Sequence, residues 1–245
     1  MNVYRCTLTL LENTFFSSRE LNNFYQTEPM IGNYALAYAF GFARAPYSNR
    51  GEIHYHRDLT ELNRCKLYVT PAKVVGEPKF SVAQFNATSD TYWSRVEQNA
   101  IATDVMAKTK KARPLNYPQI GWIKLLGIGT QARCFIVSEE EVFVPSYIRL
   151  GKFMSKAHVR IERFNKQQIK ETEIEQATLN DMLLNPLDLP PTAELIAYET
   201  YPIHPVPLIG NTMLSARFVE LLDGDRLPLA MRFGVEVLEK LGRND

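Results

Sequence analysis

Apolar and polar residues alternate from the start of the chain. In residues 3–11, Tyr4, Cys6, Leu8 and Leu10 interleave with Arg5, Thr7 and Thr9, the period-two pattern of a strand with one buried face. Further on the period lengthens. Thr27 is placed to cap a helix that Pro29 enters in its first turn, with Ile31, Tyr34, Ala35, Tyr38 and Phe42 at helical spacing and Gly41 near its end. That helix is apolar over most of its circumference, which predicts a position between a sheet and another layer. Strand-like runs follow at 65–70, 79–88, 121–126, 133–137, 157–164, 195–201, 213–222 and 229–233.

Helical patterns are otherwise few. Residues 96–108 suit a helix, and 172–184 predicts a second one capped by Thr172. Residues 108–118 have no apolar period and two prolines, which marks an excursion from the body. Asn185-Pro186 and Leu189-Pro190-Pro191 separate the terminal strands from what precedes them. A strand, a long helix and then several strands with an excursion predict an α+β fold. The leading candidate is a ferredoxin-like or RNA-recognition-type (RRM-type) core.

Composition bounds this picture without changing it. The 245 residues are 45% apolar, enough for a real core. Cys6, Cys65 and Cys134 are widely spaced and odd in number, which argues for free thiols and a cytoplasmic setting. The alternating N-terminus does not resemble a signal peptide, and the apolar run 34–43 is too short to span a bilayer.

Charge changes it more. The formal net charge is +1, but residues 1–90 carry 9 Lys/Arg against 8 Asp/Glu, residues 91–170 carry 14 against 6, and residues 171–245 carry 5 against 13. A basic middle and an acidic C-terminal part predict a polarised molecule that attracts a polyanion on one side.

Two stretches carry candidate chemistry. Between Tyr92 and Arg133, the aromatic residues Tyr92, Trp93, Tyr117 and Trp122 interleave with Arg95, Lys108, Lys110, Lys111, Arg113, Lys124 and Arg133. Cations neutralise phosphates and aromatic faces stack on unpaired bases, so the combination suits single-stranded nucleic acid. Trp122, between Ile120 and Ile123 by pattern, is expected in the core instead. The second stretch runs from Pro145 to Lys156. Tyr147, Arg149, Lys152 and Lys156 surround Gly151, whose missing side chain lets backbone N–H groups approach a phosphate. It lacks the glycine spacing and the Ser/Thr of a P-loop. Leu126-Gly-Ile-Gly-Thr130 reads as a turn between strands rather than a dinucleotide site.

Signs of catalysis are weak. His54 and His56 would face the same side of a strand, but their surroundings read as a polar loop between Gly51 and Pro71. His158 and His204 are isolated and read as structural, and Glu171, Glu173 and Glu175 read as a solvated helix start. No hydrolase or metalloprotease signature occurs, and neither a metal nor a cofactor is expected.

Specific blocks carry a family resemblance. Tyr4-Arg-Cys-Thr-Leu-Thr-Leu, Phe15-Phe-Ser-Ser-Arg-Glu20, Tyr25-Gln-Thr-Glu-Pro-Met-Ile-Gly-Asn-Tyr-Ala-Leu-Ala-Tyr38 and Tyr147-Ile-Arg-Leu-Gly-Lys-Phe-Met-Ser-Lys156 resemble the Cas-five (Csc-one) family of type I-D CRISPR systems. Residues 170–245 add little to the match.

The resemblance implies one repeat-associated mysterious protein (RAMP) domain over 1–245. It would have a modified ferredoxin-like core, a β-hairpin thumb inserted over 90–120, and additional C-terminal strands in an acidic part over 171–245. It implies a non-catalytic subunit of a Cascade ribonucleoprotein for antiviral DNA interference. That subunit would bind the 5′ handle of the CRISPR RNA (crRNA) beside a Cas-seven-type backbone subunit and a Cas-ten-type large subunit. Target DNA near the protospacer-adjacent motif (PAM) is a further partner it admits. Arg149, Lys152 and Lys156 would line the handle, and the acidic part would face away from RNA. The alternatives are a metal-independent endoribonuclease that processes CRISPR RNA and a scaffold that binds only protein.

Overall fold

The computed structural model describes residues 1–21, 24–46, 54–86 and 120–236. In chain order its elements are β1 (Asn2–Leu10), β2 (Arg19–Leu21), β3 (Phe24–Gln26), β4 (Met30–Ile31), α1 (Asn33–Ala39), α2 (Tyr55–Arg64), β5 (Tyr68–Val69) and β6 (Ala72–Val75). They continue with β7 (Phe80–Asn86), β8 (Ile120–Leu126), β9 (Gln131–Ser138), β10 (Tyr147–Leu150), β11 (Ser155–Phe164), β12 (Ile169–Glu171) and β13 (Glu175–Leu184). The last are β14 (Glu194–Tyr201), β15 (Leu208–Ala216), β16 (Phe218–Leu221) and β17 (Arg226–Pro228). The chain is thus mixed α/β, with few helices and strand-rich curled sheets, compatible with the expected α+β class.

The opening strand lies at the centre. The largest sheet runs β10-β11-β1-β9-β6-β4, with β5 also on β9, and all its pairs are antiparallel. Alternation along β1 sends Tyr4, Cys6, Leu8 and Leu10 into a core shared with Tyr34, Leu36 and Ala37 of α1 and Leu59 and Leu62 of α2. This is the inner face. The outer face carries Arg5, Thr7 and Thr9 and divides in two. At one end Val3, Phe135 and Phe164 pack against Leu179, Phe218 and Leu227 of the C-terminal half; at the other end, among the described residues, that apolar cluster does not extend over the sheet. Three smaller sheets surround this one: β2-β3-β8-β7, β13-β15-β14 and β12-β16-β17.

A buried carboxylate ties the halves together. Asp188 accepts hydrogen bonds from Asn33 (2.6 Å), Tyr68 (2.8 Å), Tyr34 (3.4 Å) and the Gly234 N–H (2.7 Å). Burial pushes its carboxyl up to about 7 against the pull of these four donors.

Several expectations are corrected. The helix expected from Thr27 is shorter. The Thr27 hydroxyl instead bonds the Phe16 N–H and C=O at 3.0 and 2.9 Å. Met30 and Ile31 pair with β6, so α1 begins only after Gly32 and ends before Gly41 at φ +77°. The helix expected at 172–184 is β13, whose register shifts between Leu179 and Leu183. That bulge moves the buried set from Ala177 and Leu179 to Met182 and Leu184, mixing the two phases into an apparent helical spacing.

The polar loop expected between Gly51 and Pro71 contains α2. Its buried residues are Leu59, Leu62 and Asp58, with Tyr55 packed against Tyr34, too few apolar residues to announce a helix. The strand expected from residue 65 starts at Tyr68, because Cys65 caps α2 and Lys66 turns at φ +51°. The strand expected at 213–222 breaks at Arg217, between sheets. Residues 229–233 form no strand, because the Asn63 amide satisfies the backbone N–H and C=O of Phe233, both at 2.8 Å. The helix expected at 96–108, and the thumb expected over 90–120 up to its last residue, lie outside the described residues.

Candidate nucleic-acid interface

The basic stretch around Gly151 folds as a tight hairpin. β10 and β11 pair with Arg149 opposite Lys156 and Tyr147 opposite His158, so these four side chains share the outer face of the large sheet. Ile148 and Leu150 alternate inward and anchor the hairpin in the core. The Tyr147 ring is 54% exposed, meets the His158 ring edge-on at 5.2 Å, and has the Lys156 ammonium 4.4 Å from its centroid. The Arg149 guanidinium donates to the Met154 carbonyl at 3.0 Å. Lys152 projects from the turn beside the Phe15 ring.

Gly151 serves a different end from the one expected. Its φ is +70°, and the Phe15 carbonyl occupies the space where a side chain would start. The Lys152 N–H donates to that carbonyl at 2.8 Å, so the glycine admits the protein's own backbone and this N–H is not left for a phosphate. The Ser155 hydroxyl reaches the Asn13 carbonyl at 2.8 Å and Glu12 accepts from the Lys156 N–H at 2.9 Å, completing the dock. The cationic side chains are what remains available.

Charge pairing separates these cations from their neighbours. Among the described residues Arg149, Lys152 and Lys156 make no ion pair, whereas Arg5 meets Glu162 (3.0 Å), Asp225 (2.8 Å) and Asp223. Arg133 meets Asp225 at 3.5 Å and Arg163 meets Glu141. Burial opposes the charge on Arg5, but the hydrogen bond it donates to Asp223 and the nearby carboxylates raise its guanidinium above the ordinary value. Asp223 is in turn held below the usual carboxylate range, since Arg5 outweighs its partial burial.

A second exposed face lies on the β2-β3-β8-β7 sheet. Trp122, expected in the core, is 44% exposed there, because β8 turns Ile123 and Leu125 inward instead. Gln84 and Phe24 flank it by register, and Lys124 lies 3.7 Å over the Phe80 ring. The strands on either side of this face lead into the basic segment expected to touch phosphate. Tyr92, Trp93, Arg95, Lys108, Lys110, Lys111 and Arg113, with Tyr117, all lie outside the described residues.

The family model for type I-D CRISPR-associated protein Cas5/Csc1 matches residues 1–236. The chain belongs to this Cas5/Csc1 family. No curated protein sequence matches it. Family membership thus covers the C-terminal half, where the motif resemblance was thin, and makes the chain a type I-D CRISPR-associated subunit.

Other candidate chemistry in this Cas5/Csc1 chain resolves into structure. His54 caps α2 and His56 sits in its first turn, so they do not share a strand face as expected. Among the described residues no cluster of three His, Cys, Asp or Glu is placed to hold a metal. Cys6 and Cys134 are buried cross-strand neighbours with free thiols, and Cys65 is free and exposed. Gly127 and Gly129 lie in the expected strand-to-strand turn. Glu171 and Glu175 pair with Arg217 and Arg226 rather than opening a helix. No helix among the described residues is long and apolar enough to cross a membrane.

Sequence reasoning passed over Arg5, Thr7, Gln131 and Arg160, which share the outer face with the hairpin. Their signal was present as the polar half of the same alternation that identified the buried half.

Proposed function

We propose that the chain is the non-catalytic subunit of a type I-D Cascade complex that binds the 5′ handle of the CRISPR RNA. The observation that carries this reading is the docked β10–β11 hairpin. It presents the Arg149, Lys152 and Lys156 side chains with no ion pair among the described residues and sets an exposed Tyr147 ring among them. Unneutralised cations beside an exposed aromatic face match a single strand, whose phosphates and unstacked bases need both. The Trp122 face extends the same chemistry toward the thumb expected from the family. The modified ferredoxin-like RAMP core belongs to this reading, supported by a central β1 between antiparallel β9 and β11 with α1 against one face. Its neighbours in the complex are a Cas-seven-type backbone subunit and a Cas-ten-type large subunit.

The test uses full-length protein and a single-stranded RNA bearing the handle. Replacing Arg149, Lys152 and Lys156 by alanine should weaken binding and flatten the dependence of log K on log salt by about 0.7 for each phosphate no longer neutralised, roughly 2 in all. An unchanged slope would locate the RNA elsewhere. The same protein should leave repeat RNA intact on a denaturing gel, whereas cleavage abolished by His56→Ala would establish the endoribonuclease alternative.

A further inference from the structure

Beside the hairpin, the outer sheet face holds a cavity of about 210 Å³. Arg5, Thr7, Gln131, Arg133, Arg160 and Glu162 line it, with Val75 of β6 beside Gln131. The polar residues come from three neighbouring strands: Thr7 pairs with both Arg133 and Arg160, and Arg5 pairs with Glu162. The volume falls below the ~300 Å³ at which drug-sized sites begin, leaving room for one small ring system.

Charge decides what kind of group fits. Arg5 is held by Glu162, Asp223 and Asp225, Arg133 shares Asp225, and Arg160 stands 3.7 Å from Glu162. Three guanidinium groups therefore face three carboxylates. A phosphate entering here meets the Glu162 carboxylate on the wall itself and guanidinium groups already paired with carboxylates, so it is disfavoured. A neutral planar group with hydrogen-bonding edges is not. On its wall Gln131 offers both a donor and an acceptor and Thr7 a hydroxyl that can do either. The Arg5 guanidinium is held over the Phe164 ring at 4.9 Å, which fixes the orientation of that wall.

We propose that this cavity is a nucleobase pocket. It takes one unpaired base of the guide strand while Arg149, Lys152 and Lys156 hold the neighbouring phosphates. Lys156 and Arg160 lie on the same face of β11, four residues and so ~13 Å apart. Asp223 and Asp225, by pairing with Arg5 and Arg133, turn away the backbone that the hairpin attracts. The pocket rests on the RNA-binding reading above, and the two can fail separately.

The experiment compares the wild-type chain, a charge-preserving pocket variant (Thr7→Val with Gln131→Met) and the hairpin variant Arg149→Ala with Lys156→Ala. Each is titrated at several salt concentrations with the 5′-end RNA and with RNAs abasic at one position in turn. Gln131→Met alone, at an exposed position, repeats the measurement should the double variant unfold. The pocket variant should bind intact RNA roughly tenfold more weakly with an unchanged salt slope, and one abasic position should erase its difference from wild type. Wild-type affinity of the pocket variant for every RNA, or an equal loss on every abasic RNA, overturns the pocket while the hairpin result stands. A hairpin variant that also binds as wild type overturns both readings.

Discussion

Gly151→Ala tests whether the hairpin is positioned by its close approach to Phe15. An added Cβ lies 2.3 Å from the Phe15 carbonyl oxygen and 3.1 Å from its carbonyl carbon, and because that neighbour is backbone it has no rotamer by which to yield. Three costs combine. The left-handed φ of +70° costs a side-chain-bearing residue about 1–2 kcal/mol. Separating the strands breaks the Lys152 N–H to Phe15 bond, about 0.5–1.5 kcal/mol. The displacement loosens the packing of the Phe15 and Phe153 rings, centred 5.2 Å apart and contributing about 0.5–1.5 kcal/mol. Together these give a loss of about 2–5 kcal/mol, measurable by urea unfolding. Gly224→Ala isolates the first cost, because φ is +92° there and nothing lies within 4 Å of the new atom. Equal destabilisation by the two substitutions would refute the close approach as the reason for a glycine at 151. In the sound case, amide exchange at Lys152 also quickens in the Gly151 variant alone.

Two further outcomes concern the core. Asp188, with its carboxyl raised from 3.8 to about 7, keeps a proton in the folded chain that the unfolded chain has already released. Stability should therefore fall as pH rises from about 4 to 7, by as much as ~4 kcal/mol, and a pH series of urea titrations should lose this slope in Asp188→Asn; an identical slope in both proteins would assign it to other groups. Phe218→Ala, at a fully buried position packed with Val3, Phe135 and Phe164, should cost about 3–5 kcal/mol and shift a single unfolding transition. Separation into two transitions would mean that the C-terminal half does not share that core.

Local pattern carried the strands well and the helices poorly. The opening strand was legible because every second residue of β1 is apolar and its neighbours β9 and β11 impose no bulge on it. β13 was not, since one register shift is enough to disguise alternation. α2 was hidden because a helix held by two leucines, Tyr55 and one buried aspartate carries little hydrophobic signal. Asp58 is pushed up by burial, yet hydrogen bonds from Arg57 and Tyr38 outweigh this and hold it below the carboxylate range, a solution no periodicity reveals. At the candidate interface, type and spacing singled out the basic residues of the hairpin. Which cations are already neutralised depends on Asp223 and Asp225, more than 200 residues from Arg5, and that pairing exists only once the chain has folded.

The division of the outer sheet face has a geometric corollary. Since side chains on one face of a strand recur every second residue, each further packing layer of the tail against β1, β9 and β11 would cover one more rung and remove one more docking position from a bound polymer. On the RNA-binding reading proposed above, the length of polymer footprint the sheet offers would be fixed by where the tail's hairpins stop, so a shortened or lengthened tail would shift the boundary in discrete steps even with every strand of the sheet unchanged.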